Sequence, residues 1–320
     1  MKKLYKSFSA LGGNELVWRL DARRLRILCY HGVCQDGLAG DPWVPGCFVA
    51  RSAFEDQIRY LSTHSCLLPL SEAVRRLRDG SLPPRAVSIT FDDGYANNMD
   101  LAYPILQKYN APATIFLSSA YIESGEMFPF LKVKLIQLIL GEKLSPDDLY
   151  EYKSTSLDLV MQRADRWWGD AKSRLSSDQW SALRPLNVAE VRGLDPKLIE
   201  FGAHSHTHCI LKNENRERRQ DEIRLSIQKI SQWIGRRVSL FAYPNGQRRD
   251  FDEADIRVLE SEGIQAAVTG ISGANSFKAD PLRLKRYPLG LWHDEAGFQA
   301  EVTGFRSVLL SLARRLGSEN

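Results

Sequence analysis

The stretch Ala86-Val87-Ser88-Ile89-Thr90-Phe91-Asp92-Asp93-Gly94-Tyr95 reads as a buried strand that runs out into a turn carrying two adjacent carboxylates. Residues 86–91 are mostly apolar or β-branched, and Gly94 lets the backbone turn sharply straight after the acidic pair. Neighbouring carboxylates repel, so one of Asp92 and Asp93 needs a cation or a proton. Asp-Asp-Gly is also common turn chemistry, so this stretch alone leaves turn and site both open.

A second cluster narrows the choice. His204-Ser205-His206-Thr207-His208 follows another apolar run, Leu198 to Ala203, and holds half of the chain's six histidines. His204 and His208 are four apart, and one helical turn would set both imidazoles on one face, as metal ligands require. Two histidines and one carboxylate leave coordination positions open, the layout of a catalytic metal rather than of a closed structural one.

Other short apolar runs also end in polar clusters. Arg26 to Tyr30 ends in His31-Gly32, Ala113 to Leu117 in Ser118-Ser119, Val238 to Tyr243 in Pro244-Asn245-Gly246, and Gly263 to Val268 in Thr269-Gly270. Helical patterns lie between them over Phe54–His64, Leu70–Arg78, Asp100–Tyr109, Glu222–Ile234 and Asp252–Glu262. Alternation of strand and helix implies a parallel α/β sheet. Chemistry gathered at the C-terminal ends of several strands points to a (β/α) barrel. An open doubly wound sheet is the alternative, but no Gly-rich phosphate loop supports it.

With both motifs in hand, the chain resembles the polysaccharide deacetylases, the NodB-homology group or carbohydrate esterase family 4. That family is marked by T-F-D-D, here Thr90 to Asp93, and by H-[ST]-x-x-H, here His204 to His208. The resemblance runs from about Leu25 to about Gly290 and implies a distorted barrel of about seven strands. The expected organisation is an N-terminal extension over 1–24, a barrel domain over 25–295 with a helical insertion over 123–196, and a C-terminal helix over 296–320.

The resemblance also implies roles. Asp92 is the expected general base, while Asp93, His204 and His208 are the expected ligands of a divalent metal; the middle histidine, His206, is not a ligand in that pattern. Zinc suits the donor set, which also accepts iron, cobalt or nickel. The general acid is expected to be His31, by likeness to relatives acting on exported poly-N-acetylglucosamine. His293, in Leu291-Trp292-His293-Asp294, is the alternative. Many members read F-R-P-P-Y-G where this chain reads Phe241-Ala242-Tyr243-Pro244-Asn245-Gly246, so the arginine that orients the base is replaced by Ala242. Arg286 is the expected substitute. Tyr243, Pro244 and Asn245 are candidate substrate contacts, with the backbone N–H near Tyr243 as an oxyanion donor. Trp43, in the Gly/Pro-rich segment Cys34 to Phe48 expected over the barrel mouth, is a fourth contact.

The bulk numbers bound the rest. A chain of 320 residues, 43% hydrophobic and 26% charged, is globular rather than disordered. A net charge of +4 with no basic patch interleaved with aromatics gives no sign of nucleic-acid binding. No apolar run approaches a membrane span, and no signal peptide is legible. Five cysteines without metal-type spacing read as free thiols in a reducing cytoplasm. Helically spaced Phe305, Val308, Leu309, Leu312 and Leu316, with Arg306, Arg314 and Arg315, leave room for contact with the inner face of the membrane. The expected activity is hydrolysis of an N-acetyl group on an amino sugar of a polysaccharide or lipid-linked glycan. The alternatives are deacylation or deformylation of a lipid- or nucleotide-linked amino sugar, and a non-catalytic carbohydrate-binding barrel.

Overall fold

The computed structural model describes residues 12–20, 22–141 and 153–306, together with Tyr5 and Leu309. The apolar runs become short strands: β1 Arg26–Tyr30, β2 Val33–Cys34, β3 Val49–Ala50, β4 Cys66–Leu67, β5 Ala86–Phe91, β6 Ala113–Leu117, β7 Ile199–Ala203, β8 Leu240–Ala242, β9 Ala266–Ser272 and β10 Leu284–Pro288. Seven of them pair in parallel in the order β1-β5-β6-β7-β8-β9-β10 and close back onto β1. β4 shares the edge of β5 with β6: Leu67 pairs with Val87, and Ala113 with Ile89. The two-residue strands β2, β3 and β4 are too short to register as apolar runs.

Side-chain parity explains why barrel strands such as β1 and β8 read as apolar runs. Ile27, Phe116, Leu240, Ala242, Val268 and Leu284 point inward and form one cluster with Leu70, Val74 and Leu77, from the helix Leu70–Asp79 that stoppers the N-terminal ends of the strands. Their neighbours Leu28, Val87, Ile89, Ile115, Phe241 and Ala267 point outward, against Phe54, Ile58, Ile223 and Leu259 of the surrounding helices. On β1 after Arg26, and on β8, both faces are buried and apolar, so polar alternation is lost there, whereas Ser88 and Thr90 on β5 and Glu200 on β7 keep it. Inside the barrel a Cβ on Gly202 would fall 2.4 Å from the Phe116 ring. The glycine therefore makes room for the phenyl group that floors the mouth.

The segment between β6 and β7 carries the helices Pro129–Leu140, Leu157–Ser173, Ser177–Leu183 and Val188–Gly193. It builds a second core from Phe128, Leu131, Leu135, Val160 and Trp168, which also receives Val44 and Phe48 of the loop between β2 and β3. The expected helix over 100–109 begins instead as a π-helical turn, Asn98–Ala102, before the α-helix Tyr103–Lys108. That turn brings Asn98 under the barrel mouth. After β10 the helix Glu295–Thr303 follows, and Phe305 packs with Tyr5 and Ala300. Val308, Leu312, Arg314, Arg315 and Leu316 lie outside the described residues, as does the basic start of the chain apart from Tyr5. Among the described residues no helix is long and apolar enough to cross a membrane.

Candidate active site

Parity along the strands selects what reaches the mouth. On β5 the inward positions continue as Thr90 and Asp92, on β1 as Cys29, on β7 through Gly202 to His204, on β8 as Ala242 and on β10 as Arg286. Asp92 is buried and takes both Arg286 N–H groups, Nη1 to Oδ1 at 2.6 Å and Nη2 to Oδ2 at 2.7 Å. Arg286 is itself held, Nε donating to the Thr269 carbonyl at 2.9 Å and Nη1 to Thr90 Oγ1 at 3.2 Å. The guanidinium thus approaches Asp92 from β10, while Ala242 on β8 contributes only a methyl group to the interior. Burial pushes the Asp92 pKa up, but Arg286, His204 and His31 outweigh it and hold the carboxyl at about 2.

Asp93 departs from the strand. Its φ of 73° and the φ of 87° at Gly94 turn the chain through the left-handed region. A Cβ on Gly94 would sit 2.6 Å from Leu117 Cδ2, so only glycine fits there. The turn aims the two carboxylates at different partners: Asp92 at Arg286, Asp93 at the histidines. Asp93 Oδ1 lies 3.5 Å from His204 Nε2 and 3.1 Å from His208 Nε2.

The histidine segment corrects one expectation. Residues 204–208 form no helical turn; Ser205 and His208 are both left-handed, each with φ 57°. The two imidazoles still converge, rings 4.9 Å apart, because the loop doubles back over β7. His206 turns away and meets Ser119 Oγ through Nδ1 at 2.8 Å. His204 Nδ1 lies 2.8 Å from the Ala242 carbonyl, which only accepts, so Nδ1 carries a proton and leaves Nε2 on the Asp93 side. Burial lowers the His204 pKa, but Asp92 and Asp93 more than reverse this and hold it above the ordinary imidazole value. The Asp93 oxygens are buried and accept no hydrogen bond among the described residues. A buried carboxylate needs a cation, and with the two imidazole nitrogens beside it the donor set fits a divalent metal ion. Asp93, His204 and His208 form a candidate metal site, their donor atoms within 4.8 Å of one another.

His31 lies near Asp92, a ring nitrogen within 4.8 Å of an Asp92 oxygen and of Cys29 Sγ. Its carbonyl accepts from Asn98 Nδ2 at 2.8 Å, and its buried Nδ1 has no hydrogen-bond partner among the described residues. Burial lowers its pKa, against the opposing pull of Asp93 and Asp92. His293 lies elsewhere, beside a cavity between the helices Arg51–His64 and Glu295–Thr303, its Nε2 4.0 Å from Glu301 Oε2.

Of the four expected substrate contacts, one is corrected. Tyr243 has outward parity: its ring stacks on Phe251 at 3.8 Å, its hydroxyl donates to the Leu282 carbonyl, and its N–H donates to the Val268 carbonyl at 3.1 Å. That N–H is committed to the sheet and is no oxyanion donor. Pro244 and Asn245 build a turn, with Asn245 Nδ2 donating to Asp250 Oδ2 at 2.6 Å. Trp43 is half-buried against the second core, because the insertion needs an apolar cover.

Sequence reasoning passed over Cys29, Asn98 and Phe130. Cys29 Sγ lies 3.5 Å from Asp92 Oδ2 and donates to it. Its signal was available, since it stands two residues before His31 on the inward face of β1. Phe130 packs on His208 with ring centroids 4.9 Å apart, and nothing local announces a contact from the insertion.

The family model for polysaccharide deacetylases matches residues 79–267, a span that contains both the Asp-Asp turn and the histidine loop. The chain belongs to the polysaccharide deacetylase family. Among curated proteins it is 31% identical over 154 residues to a poly-beta-1,6-N-acetyl-D-glucosamine N-deacetylase of Staphylococcus epidermidis, covering 48% of this chain and 51% of the relative. It is 40% identical over 112 residues to the protein of that name from Staphylococcus aureus strain MSSA476, covering 35% of this chain and 38% of the relative. The matched region is thus about half the length of these relatives or less. The Streptococcus pyogenes deacetylase PplD, solved with acetate, superposes with a TM-score of 0.63 at 18% identity, over 88% of this chain and 99% of that one. A de-N-acetylase from Aggregatibacter actinomycetemcomitans does so with 0.61 at 16%, over 86% and 98%. At such identities the likeness is one of fold.

Proposed function

We propose that the protein is a metal-dependent N-deacetylase of an N-acetylglucosamine polysaccharide. The observation that carries this reading is the division of labour between the paired aspartates, one clamped by an arginine and the other held between two imidazoles. The names of the curated relatives support the substrate class. Asp93, His204 and His208 would hold the ion, zinc by preference, with iron, cobalt or nickel accepted by the same donors. When bound, such an ion supplies Lewis-acid polarisation of the acyl carbonyl and lowers the pKa of water.

The protein's own groups do the rest. Asp92 stays ionised at any ordinary pH and accepts the proton of the attacking water. So acidic a carboxyl is a weak base, which makes the reading depend on a water made acidic. Arg286 fixes the plane of that carboxylate. The water oxygen bonds to the acyl carbon, the carbon–nitrogen bond breaks, and His31 gives a proton to the departing amine. Acetate leaves and a free amino sugar remains in the chain. Phe130 and the second core exclude water from the His208 side.

The test is acetate release from β-1,6-linked N-acetylglucosamine oligomers, with and without a chelator, beside Asp92→Asn. Chelator-sensitive release is expected, reduced about 10²–10⁴-fold in the variant with its metal content retained. Release that ignores both chelator and variant would overturn the mechanism.

A further inference from the structure

Beside the candidate metal site lies a second constellation of donors, built from the base, the acid and a residue that the reaction does not require. Cys29 Sγ, a His31 ring nitrogen and an Asp92 oxygen lie within 4.8 Å of one another. We propose that these three residues form a second, inhibitory site for a thiophilic divalent ion, such as cadmium or zinc in excess.

The sulfur-to-oxygen distance is that of two donors to one ion, and the His31 nitrogen lies within 4.8 Å of both. Bonds of about 2.3 Å to sulfur and about 2.0 Å to oxygen, at a tetrahedral angle, separate the two donors by about 3.5 Å. Cys29 Sγ and Asp92 Oδ2 are 3.5 Å apart. The third donor is a His31 ring nitrogen, and His31 Nδ1 is buried without a hydrogen-bond partner among the described residues. Backbone order holds the set in place: Cys29 is the last inward residue of β1, and Asn98 anchors the His31 carbonyl. Arg286 opposes a second cation, but it pairs with Asp92 edge to edge and leaves each oxygen a further lone pair. Among the described residues no other trio of potential ligands within this distance contains a cysteine.

Binding forms a sulfur–metal bond, breaks the S–H bond and releases the proton to solvent. Until then the thiol donates to Asp92 and leaves the base free. Once bound, the ion occupies the base and the acid together. The inhibitory consequence rests on the roles proposed for Asp92 and His31; the binding itself does not.

The experiment is cadmium titration of the full-length protein, followed by the ultraviolet thiolate-to-cadmium charge-transfer band and by metal stoichiometry, on the wild type and Cys29→Ser. The wild type is expected to take two equivalents, the second raising the band, and Cys29→Ser to take one without it. In parallel, activity against zinc concentration should rise and then fall. The falling limb in Cys29→Ser, normalised to that variant's own maximum, should move to about tenfold higher zinc or beyond. One equivalent in the wild type, or no thiolate band, overturns the proposal whether or not the variant folds. A band or an inhibition unchanged in Cys29→Ser also overturns it. Absence of acyl release at every zinc concentration would count against the deacetylase reading, while the cadmium result would still decide the site.

Discussion

Arg286 reaches Asp92 from β10, 44 positions beyond Ala242 on β8, where the resemblance to the family would have placed an arginine. Both positions point inward, so a guanidinium can arrive from either strand. Arg286→Ala would leave a buried carboxylate without its cation, at a cost of about 3–5 kcal/mol, readable by urea unfolding at neutral pH. The sign of the pH effect follows from the shift. The Asp92 pKa falls from 3.8 in the unfolded chain to about 2 in the folded one. Its stabilising contribution is therefore complete above the higher value and disappears as pH falls through the lower one. Without Arg286 the folded value rises, and the acid limb of both stability and kcat/KM moves to higher pH. A pH profile of the variant superposable on the wild type would refute the clamp. His31→Ala separates the roles of the two lone histidines. It should slow amide hydrolysis by about 10²–10⁴-fold yet spare an activated aryl ester, whose leaving group needs no proton, whereas His293→Ala should leave both activities near wild type.

At the scale of elements, six of the seven barrel strands and most helix positions were legible as apolar runs and helical periods. The inward or outward sense of β1 and β8 was not, because apolar residues on both buried faces erase the polar alternation that would reveal it. This is why Tyr243 read as a substrate contact when its side chain belongs to the outer core with Phe251. It is also why Cys29, on the inward face of the first strand, went unremarked. The histidine loop read as a helical turn from its four-residue spacing, whereas left-handed residues at Ser205 and His208 bring the rings together by another route. Gly202 offers a test of the interior. Gly202→Ala places a methyl group against Phe116 and should destabilise by about 1–3 kcal/mol, with Phe116→Leu restoring part of the loss in the double variant. An unchanged melting temperature for Gly202→Ala would mean that the phenyl group moves aside freely.

For the whole molecule, the candidate metal site joins the ends of β5 and β7 across β6, so an ion held there stabilises the closed barrel. At about 100 times its dissociation constant it would contribute about 2.7 kcal/mol. Chelation should lower the melting temperature of the wild type and leave that of Asp93→Asn unmoved; an equal response in both would place the stabilising ion elsewhere. By itself the sequence determined the kind of fold, through its alternation of apolar runs and helical periods, and the residues of the metal site, through two motifs whose spacing is local. Only the tertiary structure decided which other groups stand beside them. Cys29, Asn98 and Phe130 come from three separate segments, and Arg286, expected from the sequence, owes its bond to Asp92 to the same closure. What brings them to one mouth is the closure of the sheet and the parity of its strands, a property of paired backbones rather than of any single stretch of sequence.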